Sequence, residues 1–416
     1  MRRALLIAAL TVACGVPKIV SIDSLEDAGN DDASDAAIPC PGAGISKGPW
    51  SLHVDETTAT VRWEACRSQA DRTLTITPEQ GGAPVTSVAV ESSIVIPDTY
   101  FAPLNTSAPP DYAGTWYMEE SSLTGLAAGT CYKYVVAADA SRAGRFCTAR
   151  AVGAPIRFLA IGDTNPALGD STANVLAHVL PKNPDFSLHL GDIQYYDSTL
   201  ETWALWAIKM QPMLSAGAFF PSIGNHESEK PDELTNYTLR YFHGAGFGGT
   251  DQYYSFHSSG VFFFVLDTEL PTDSTSAQAQ WLIAQLDAAT KTPGFRFSIV
   301  YFHKPFVTCG DTGDNPAARA YMEPLFVQYK VPLVLQAHMH GYERFEFPNI
   351  TYVTSAGGGG RMGNVNGNIN NAYCGSRVAS GDFFHGLVVD ITTGKLSAQA
   401  IDDTGAVKDS FEKVVP

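Results

Sequence analysis

Positive charge is scarce in this chain: 27 lysines and arginines stand against 43 aspartates and glutamates, for a formal net charge of −16. No basic groove offsets that balance in the sequence. An acidic surface of this size repels a polyanion, which argues against nucleic acid as a stable partner. Charged residues of both signs are only 17% of the total, whereas hydrophobic residues reach 45%, so general disorder is excluded as well. Cys-x-x-Cys pairs are absent, which argues against a structural zinc knuckle. The glycine run Gly357 to Gly360 lacks the Lys-Ser/Thr ending of a nucleotide-binding loop; it reads as close backbone packing and is assigned no phosphate role. The apolar run near the N-terminus, Ala4 to Ala13, is too short to span a bilayer.

That short run follows Arg2 and Arg3 and stops at Cys14, the anatomy of an export signal. Residues 1–14 are therefore read as a signal peptide of the bacterial lipoprotein kind, with Cys14 lipidated and the protein held at the cell envelope through a lipid anchor. Thr11 stands where such signals usually carry leucine, so plain secretion is the alternative. Residues 15–45 are acidic and small without apolar periodicity, which predicts a disordered tether. Apart from Cys14, six of the seven cysteines remain, an even set suited to disulfides in an oxidising compartment. Cys131 and Cys147 flank two strand-like runs joined by a turn near Asp139, which makes a cross-strand bridge reasonable.

A chain of 416 residues exceeds what one hydrophobic core usually supports, and its texture changes part-way. Between about 46 and 150, short segments such as Ala59 to Glu64, Leu74 to Thr77, Val85 to Val90 and Tyr132 to Val136 alternate apolar and polar with period two, predicting a fibronectin-like antiparallel β-sandwich. From Pro155 to about 414, apolar strand-like runs alternate with helical stretches such as Ser276 to Ala289, predicting a layered α/β domain. The expected fold is thus an α+β, two-domain arrangement.

Five of the strand-like runs in the second region end in groups able to bind a metal. Asp163 follows Ile156 to Ile161; Asp192 and Tyr195 follow Asp185 to Leu190; Asn225 and His226 follow Phe219 to Ile223. His303 closes Ile299 to Phe302, and His338 and His340 close Leu333 to Gln336. A lone histidine or Gly-Asp pair at such a place is ordinary. Five together put carboxylates, a phenol, an amide and imidazoles on one loop rim, a concentration that no packing requirement calls for.

With these motifs the sequence resembles the calcineurin-like metallophosphoesterases, and within them the purple acid phosphatases, from about Gly48 to Val414. The resemblance implies a binuclear metal centre in which Asp163, Asp192, Tyr195 and His340 hold one cation and Asp192, Asn225, His303 and His338 the other, Asp192 bridging. Broader members carry Asp-x-His at the first motif; here Asn165 takes the histidine's place and Tyr195 is expected to supply the missing ligand. A phenolate favours Fe(III), with zinc, manganese or iron as the divalent partner. Two cations sharing an aspartate can activate a water and neutralise charge during in-line displacement at phosphorus, and His226 is the candidate for protonating the leaving group or contacting phosphate. Glu227 is read as orienting His226 or as solvated, and Arg344 as a structural ion-pair member or a phosphate contact. The plant-type leaving-group histidine after His303 is missing, and Cys309 and Cys374 are positioned to pair across the pocket rim.

The implied activity is hydrolysis of a small phosphate ester by an exported acid phosphatase. Phosphodiester hydrolysis on nucleotides or lipid head groups is the alternative within enzymes. The alternative outside them is a surface binding protein with an inactive phosphoesterase domain.

Overall fold

The computed structural model describes residues 42–96, 114–166, 169–195, 206–228 and 249–416. Cys14 and residues 15–41 of the expected tether lie outside them. The tether ends earlier than expected, because Ile45 is already the buried first residue of a strand; a single apolar residue among glycines carries no periodicity to read.

The first eight strands are β1 (Ile45–Leu52), β2 (Ala59–Ala65), β3 (Thr73–Pro78), β4 (Val85–Val88), β5 (Val90–Ile96), β6 (Gly114–Leu123), β7 (Cys131–Val136) and β8 (Asp139–Cys147). They form two antiparallel four-stranded sheets, in the orders β1-β2-β6-β5 and β4-β3-β7-β8. Period-two alternation turns Val61 and Trp63 from one sheet, and Leu74, Ile76, Tyr134 and Val136 from the other, into a shared core where all are essentially inaccessible. Each such side chain contributes about 1.5–3 kcal/mol by leaving water. Cys131 and Cys147 sit directly opposite one another in the β7–β8 ladder and are disulfide-bonded, as their spacing led us to expect.

The remaining strands are β9 (Ile156–Ile161), β10 (Phe186–His189), β11 (Ala218–Pro221), β12 (Tyr254–Ser258), β13 (Val261–Val265), β14 (Phe297–Tyr301), β15 (Leu333–Gln336), β16 (Tyr342–Glu346), β17 (Thr351–Ser355), β18 (Arg377–Gly381), β19 (His385–Thr392), β20 (Lys395–Asp402) and β21 (Val407–Val414). They make a six-stranded sheet, β11-β10-β9-β19-β20-β21, and a seven-stranded one, β12-β13-β14-β15-β17-β16-β18. The two sheets face each other through aromatic rings: Phe186 meets Phe263 edge-on at 5.4 Å, and Phe220 stacks on Phe256 at 3.8 Å. The helix Ser171–Val179 covers the outer face of the first sheet with Val175, Leu176 and Val179. Helices Ala277–Lys291 and Pro316–Gln328 cover the second with Leu282, Leu286, Met322 and Phe326. The result is a four-layered α/β/β/α stack, the layered domain expected.

Two features of this stack position the chemistry. Strands β9, β10 and β11 run parallel in one sheet, and β13, β14, β15 and β17 run parallel in the other, so each sheet collects its strand C-termini along one edge. The sandwich is clipped to this stack by two arginines. Arg150 pairs with Asp185 at 2.6 Å, and Arg145 donates to the carbonyls of Pro184 and Ala216.

Candidate metal centre

The first sheet delivers Asp163 after β9, Asp192 and Tyr195 after β10, and Asn225 and His226 after β11. The second delivers His303 after β14 and His338 and His340 after β15. The seven candidate metal ligands and His226 therefore come together on one rim. Backbone conformation sharpens the turns: Asp163, Asp192 and His338 have φ of 58°, 49° and 69°, the left-handed region that non-glycine residues seldom occupy. The Gly-Asp and Gly-Asn pairs follow from crowding. A side chain on Gly191, itself at φ 86°, would come within 2.7 Å of the His303 ring, and one on Gly224 would lie 2.3 Å from the Asp192 carboxylate.

Two groups of donor atoms result. In the first, Asp192 Oδ2, Asn225 Oδ1 and His338 Nδ1 lie 3.1, 3.2 and 3.1 Å from His303 Nε2. In the second, the Tyr195 hydroxyl lies 2.8 Å from Asp163 Oδ1 and 2.9 Å from His340 Nε2, which is itself 3.1 Å from Asp163 Oδ1. Asp163, Asp192 and His340 form one set of atoms close enough to share a cation, and Asp192, His303 and His338 form another, with Asp192 common to both.

The hydrogen bonds on the far side of the rings test whether a cation fits. His303 Nδ1 is paired with the Leu190 carbonyl at 2.9 Å and His340 Nδ1 with the Arg361 carbonyl at 2.6 Å. A carbonyl only accepts, so both Nδ1 atoms carry protons, and in the neutral ring both Nε2 atoms present lone pairs to the cluster. In the first group the His303 lone pair faces the Asp192 carboxylate, the Asn225 amide oxygen and the His338 ring nitrogen. Convergence of acceptors on acceptors fits a positive charge between them.

Protonation states follow the same logic. Burial works against charge on His303, but Asp192 and then Asp163 overcome it and hold its pKa up to about 10, so without a metal a proton does the cation's work. Burial and the neighbouring His303 push His338 down to about 4, leaving it neutral and able to ligate. Burial, with Asp163 and Asp192 beside it, raises the Tyr195 phenol well above its ordinary value, so a phenolate forms there only when a cation compensates.

Several neighbours were not legible as partners in the sequence. Glu227 is fully buried, and its carboxylate accepts backbone N–H groups of the two loops carrying Asp192 and Asn225. Neither role read from the sequence, orienting His226 or sitting in solvent, describes it. Thr164 Oγ1 donates to the Ile193 carbonyl at 2.6 Å and accepts from Trp206 Nε1 at 3.2 Å. With its proton committed, it accepts from His189 Nε2 at 3.0 Å as well, and burial keeps His189 neutral by pushing its pKa to about 3. Asn165 accepts from Gln194 Nε2 at 2.8 Å, while Tyr195 donates to Asp163 at 2.8 Å. Arg344 is committed to Asp409 at 2.7 Å and to Glu346 at 2.7 Å, so the ion-pair reading holds and the phosphate contact does not. Cys309 and Cys374 are disulfide-bonded, tying the loop after His303 to the segment before β18.

This strand-end rim matches a known family: residues 156–342 fit the calcineurin-like phosphoesterases. The stretch is a calcineurin-like phosphoesterase domain. Among curated proteins, purple acid phosphatase 22 of Arabidopsis thaliana is 29% identical over 204 residues, 46% of this chain and 46% of that protein. Purple acid phosphatase 18 of the same plant is 30% identical over 234 residues, 50% and 51% of the two. The chain spans about half the length of the curated relatives it matches. A purple acid phosphatase from yellow lupin (Lupinus luteus) seeds shares the fold, with a TM-score of 0.72 over 89% of this chain and 75% of that one at 18% identity. The phosphoesterase domain and its relation to the purple acid phosphatases, expected from the motifs, are thus borne out.

Proposed function

We propose that this chain is a binuclear-metal hydrolase of phosphate monoesters. The observation that carries the reading is the double cluster sharing Asp192, with Nε2 lone pairs of His303 and His340 turned inward by carbonyls behind them. Asp163, Asp192, Tyr195 and His340 would hold one cation and Asp192, Asn225, His303 and His338 the other. Bound there, the pair would supply Lewis acidity, lowering the pKa of a water and neutralising charge as the phosphoryl group transfers. Tyr195 favours Fe(III) in the first position, with zinc, manganese or iron in the second.

The chain's own groups supply orientation and a proton. His226 lies between the centre and solvent: its ring centroid is 4.4 Å from that of Tyr195, its Nε2 is 3.8 Å from Asp192 Oδ2, and its side chain is 27% exposed. From there it is placed to hydrogen-bond a phosphate oxygen or to donate a proton to the departing alkoxide. The expected plant-type histidine after His303 is absent from the stretch Lys304 to Asp314, which leaves His226 as the proton donor in this reading. The sandwich of residues 46–150 is taken as a separate domain beside the hydrolase of 155–414.

Export is part of the same reading. Cys131–Cys147 and Cys309–Cys374 are disulfides of the kind an oxidising compartment keeps, and among the described residues no helix is long and apolar enough to cross a membrane. A lipid on Cys14 would anchor the exported protein, with plain secretion as the alternative.

The test is hydrolysis of a mono-aryl and a bis-aryl phosphate by wild type and Asp192→Asn. Faster turnover of the monoester, abolished in the variant, is expected. Preference for the bis-aryl compound would move the assignment to phosphodiesters, and no turnover of either by metal-replete wild type would leave a binding protein.

A further inference from the structure

Glu227 is buried, and among the described residues it has no lysine or arginine partner and hydrogen-bonds only to backbone. Oε2 accepts from the N–H of Asp192 at 2.9 Å and of Gly224 at 2.7 Å, and Oε1 accepts from Ile193 at 2.7 Å. The left-handed turn at Gly191 and Asp192 brings two successive N–H groups to one side, a concavity that suits an anion. The bond to Gly224, three residues back, closes the turn that carries Asn225. In return Asp192 Oδ1 accepts from the His226 N–H at 2.9 Å, so the two loops are clasped in both directions.

From this geometry we infer that Glu227 is a positioning residue for the metal centre, holding Asp192 in its strained backbone conformation so that the carboxylate faces both clusters. The inference rests on the binuclear reading above. The left-handed conformation of a non-glycine residue persists only where its surroundings over-determine it, and here the N–H groups of residues 192 and 193 are both fixed by one carboxylate. Among the described residues no other side chain accepts from either N–H. Removing the carboxylate frees Asp192 to relax toward an ordinary φ, which turns its side chain out of the position shared by His303 and His226. Because Asp192 belongs to both clusters, both cations should feel the change.

The isosteric variant Glu227→Gln separates positioning from packing. Its carbonyl oxygen can still accept from Asp192 and Gly224, but its amide N–H₂ then opposes the Ile193 N–H. Titration of Mn²⁺ into metal-free protein should show both binding steps weakened about tenfold or more, the usual cost of losing a group that orients a ligand. In the metal-replete enzyme kcat should fall with KM little changed. Arg344→Ala, which breaks an ion pair outside the centre, is the control: it should lower Tm while leaving Mn²⁺ affinity intact. If Glu227→Gln fails to fold, Glu227→Asp replaces it and is expected to weaken Mn²⁺ similarly, since the shortened carboxylate cannot reach all three N–H groups.

Affinity within twofold of wild type in the folded variant, with only Tm lowered, would overturn the positioning role. Failure of wild type itself to bind Mn²⁺ would instead overturn the binuclear reading.

Discussion

Replacing Tyr195 by phenylalanine removes one oxygen and leaves the ring against His226 and His340. That oxygen lies 2.8 Å from Asp163 Oδ1 and 2.9 Å from His340 Nε2. In the metal-free protein the phenol donates to a buried carboxylate, a charge-assisted bond whose loss should cost about 1.5–3 kcal/mol of stability. With metal bound the consequence is larger. Groups that merely orient a ligand cost about 10–100-fold in affinity, so loss of a direct ligand should reach at least the upper end, about 100-fold or roughly 2.7 kcal/mol. A pH signature accompanies it. Burial and the Asp163 and Asp192 carboxylates hold the phenol protonated well above its ordinary pKa, so a cation that takes the phenolate must expel that proton. Affinity therefore rises with pH in wild type, and the slope of log K against pH should be shallower by about one in Tyr195→Phe. The assay is iron titration of metal-free protein at several pH values, followed by metal content and visible absorption. A tyrosinate-to-iron band in wild type that is lost in the variant is expected; unchanged absorption, affinity and pH slope in the variant would refute the assignment of Tyr195 as a ligand.

Other perturbations separate the site from its frame. The Cys309–Cys374 disulfide closes a 65-residue separation, for which loop-closure entropy gives about 4 kcal/mol; Cys374→Ser should lower the denaturation midpoint accordingly, and an unchanged midpoint would count against that constraint. Arg344→Ala removes the charged partner of Asp409, while Glu346 keeps Lys413 at 3.8 Å, and should cost about 1.5–3 kcal/mol in stability with KM for an aryl phosphate unaltered; a raised KM would restore the phosphate-contact reading. In the sandwich, Glu119 lies directly across the ladder from Glu91, and burial, then Glu91, pushes its pKa up to about 8. Because the folded pKa exceeds the unfolded one, the stability it contributes is fully present below about pH 4 and is lost as pH rises toward 8. Glu119→Gln should accordingly gain Tm relative to wild type as pH increases from 5 to 9, and a gain independent of pH would show another cause.

Much of the fold was legible because its signals are local. Period-two alternation located β2, β3 and β7, continuous apolar runs located β9, β13, β14 and β15, and the Ser276 to Ala289 pattern lies within the helix Ala277–Lys291 apart from its capping serine. The site was legible for a related reason: each candidate ligand sits just past a strand, and in parallel sheets strand ends fall on one edge whatever the intervening loops do. Local patterns could not say that β19, more than two hundred residues downstream, inserts beside β9 and runs antiparallel to it. They also could not say that Arg344 would find Asp409. Those choices depend on which edges and charges remain unpaired after the rest has packed.

The amino-acid sequence by itself determined the chemistry available: which carboxylates, imidazoles, amide and phenol stand at strand ends, with Asn165 two residues after Asp163 and Tyr195 three after Asp192. Only the tertiary structure decided their orientation. Two sheets had to meet face to face before His303 from one could approach Asp192 from the other, and the carbonyls of Leu190 and Arg361 had to take the Nδ1 protons before Nε2 could face inward. Glu227 had to be buried against three N–H groups to clasp the Asp192 turn. Directional hydrogen bonds between residues far apart in the chain set these orientations, and no spacing along the sequence encodes their direction.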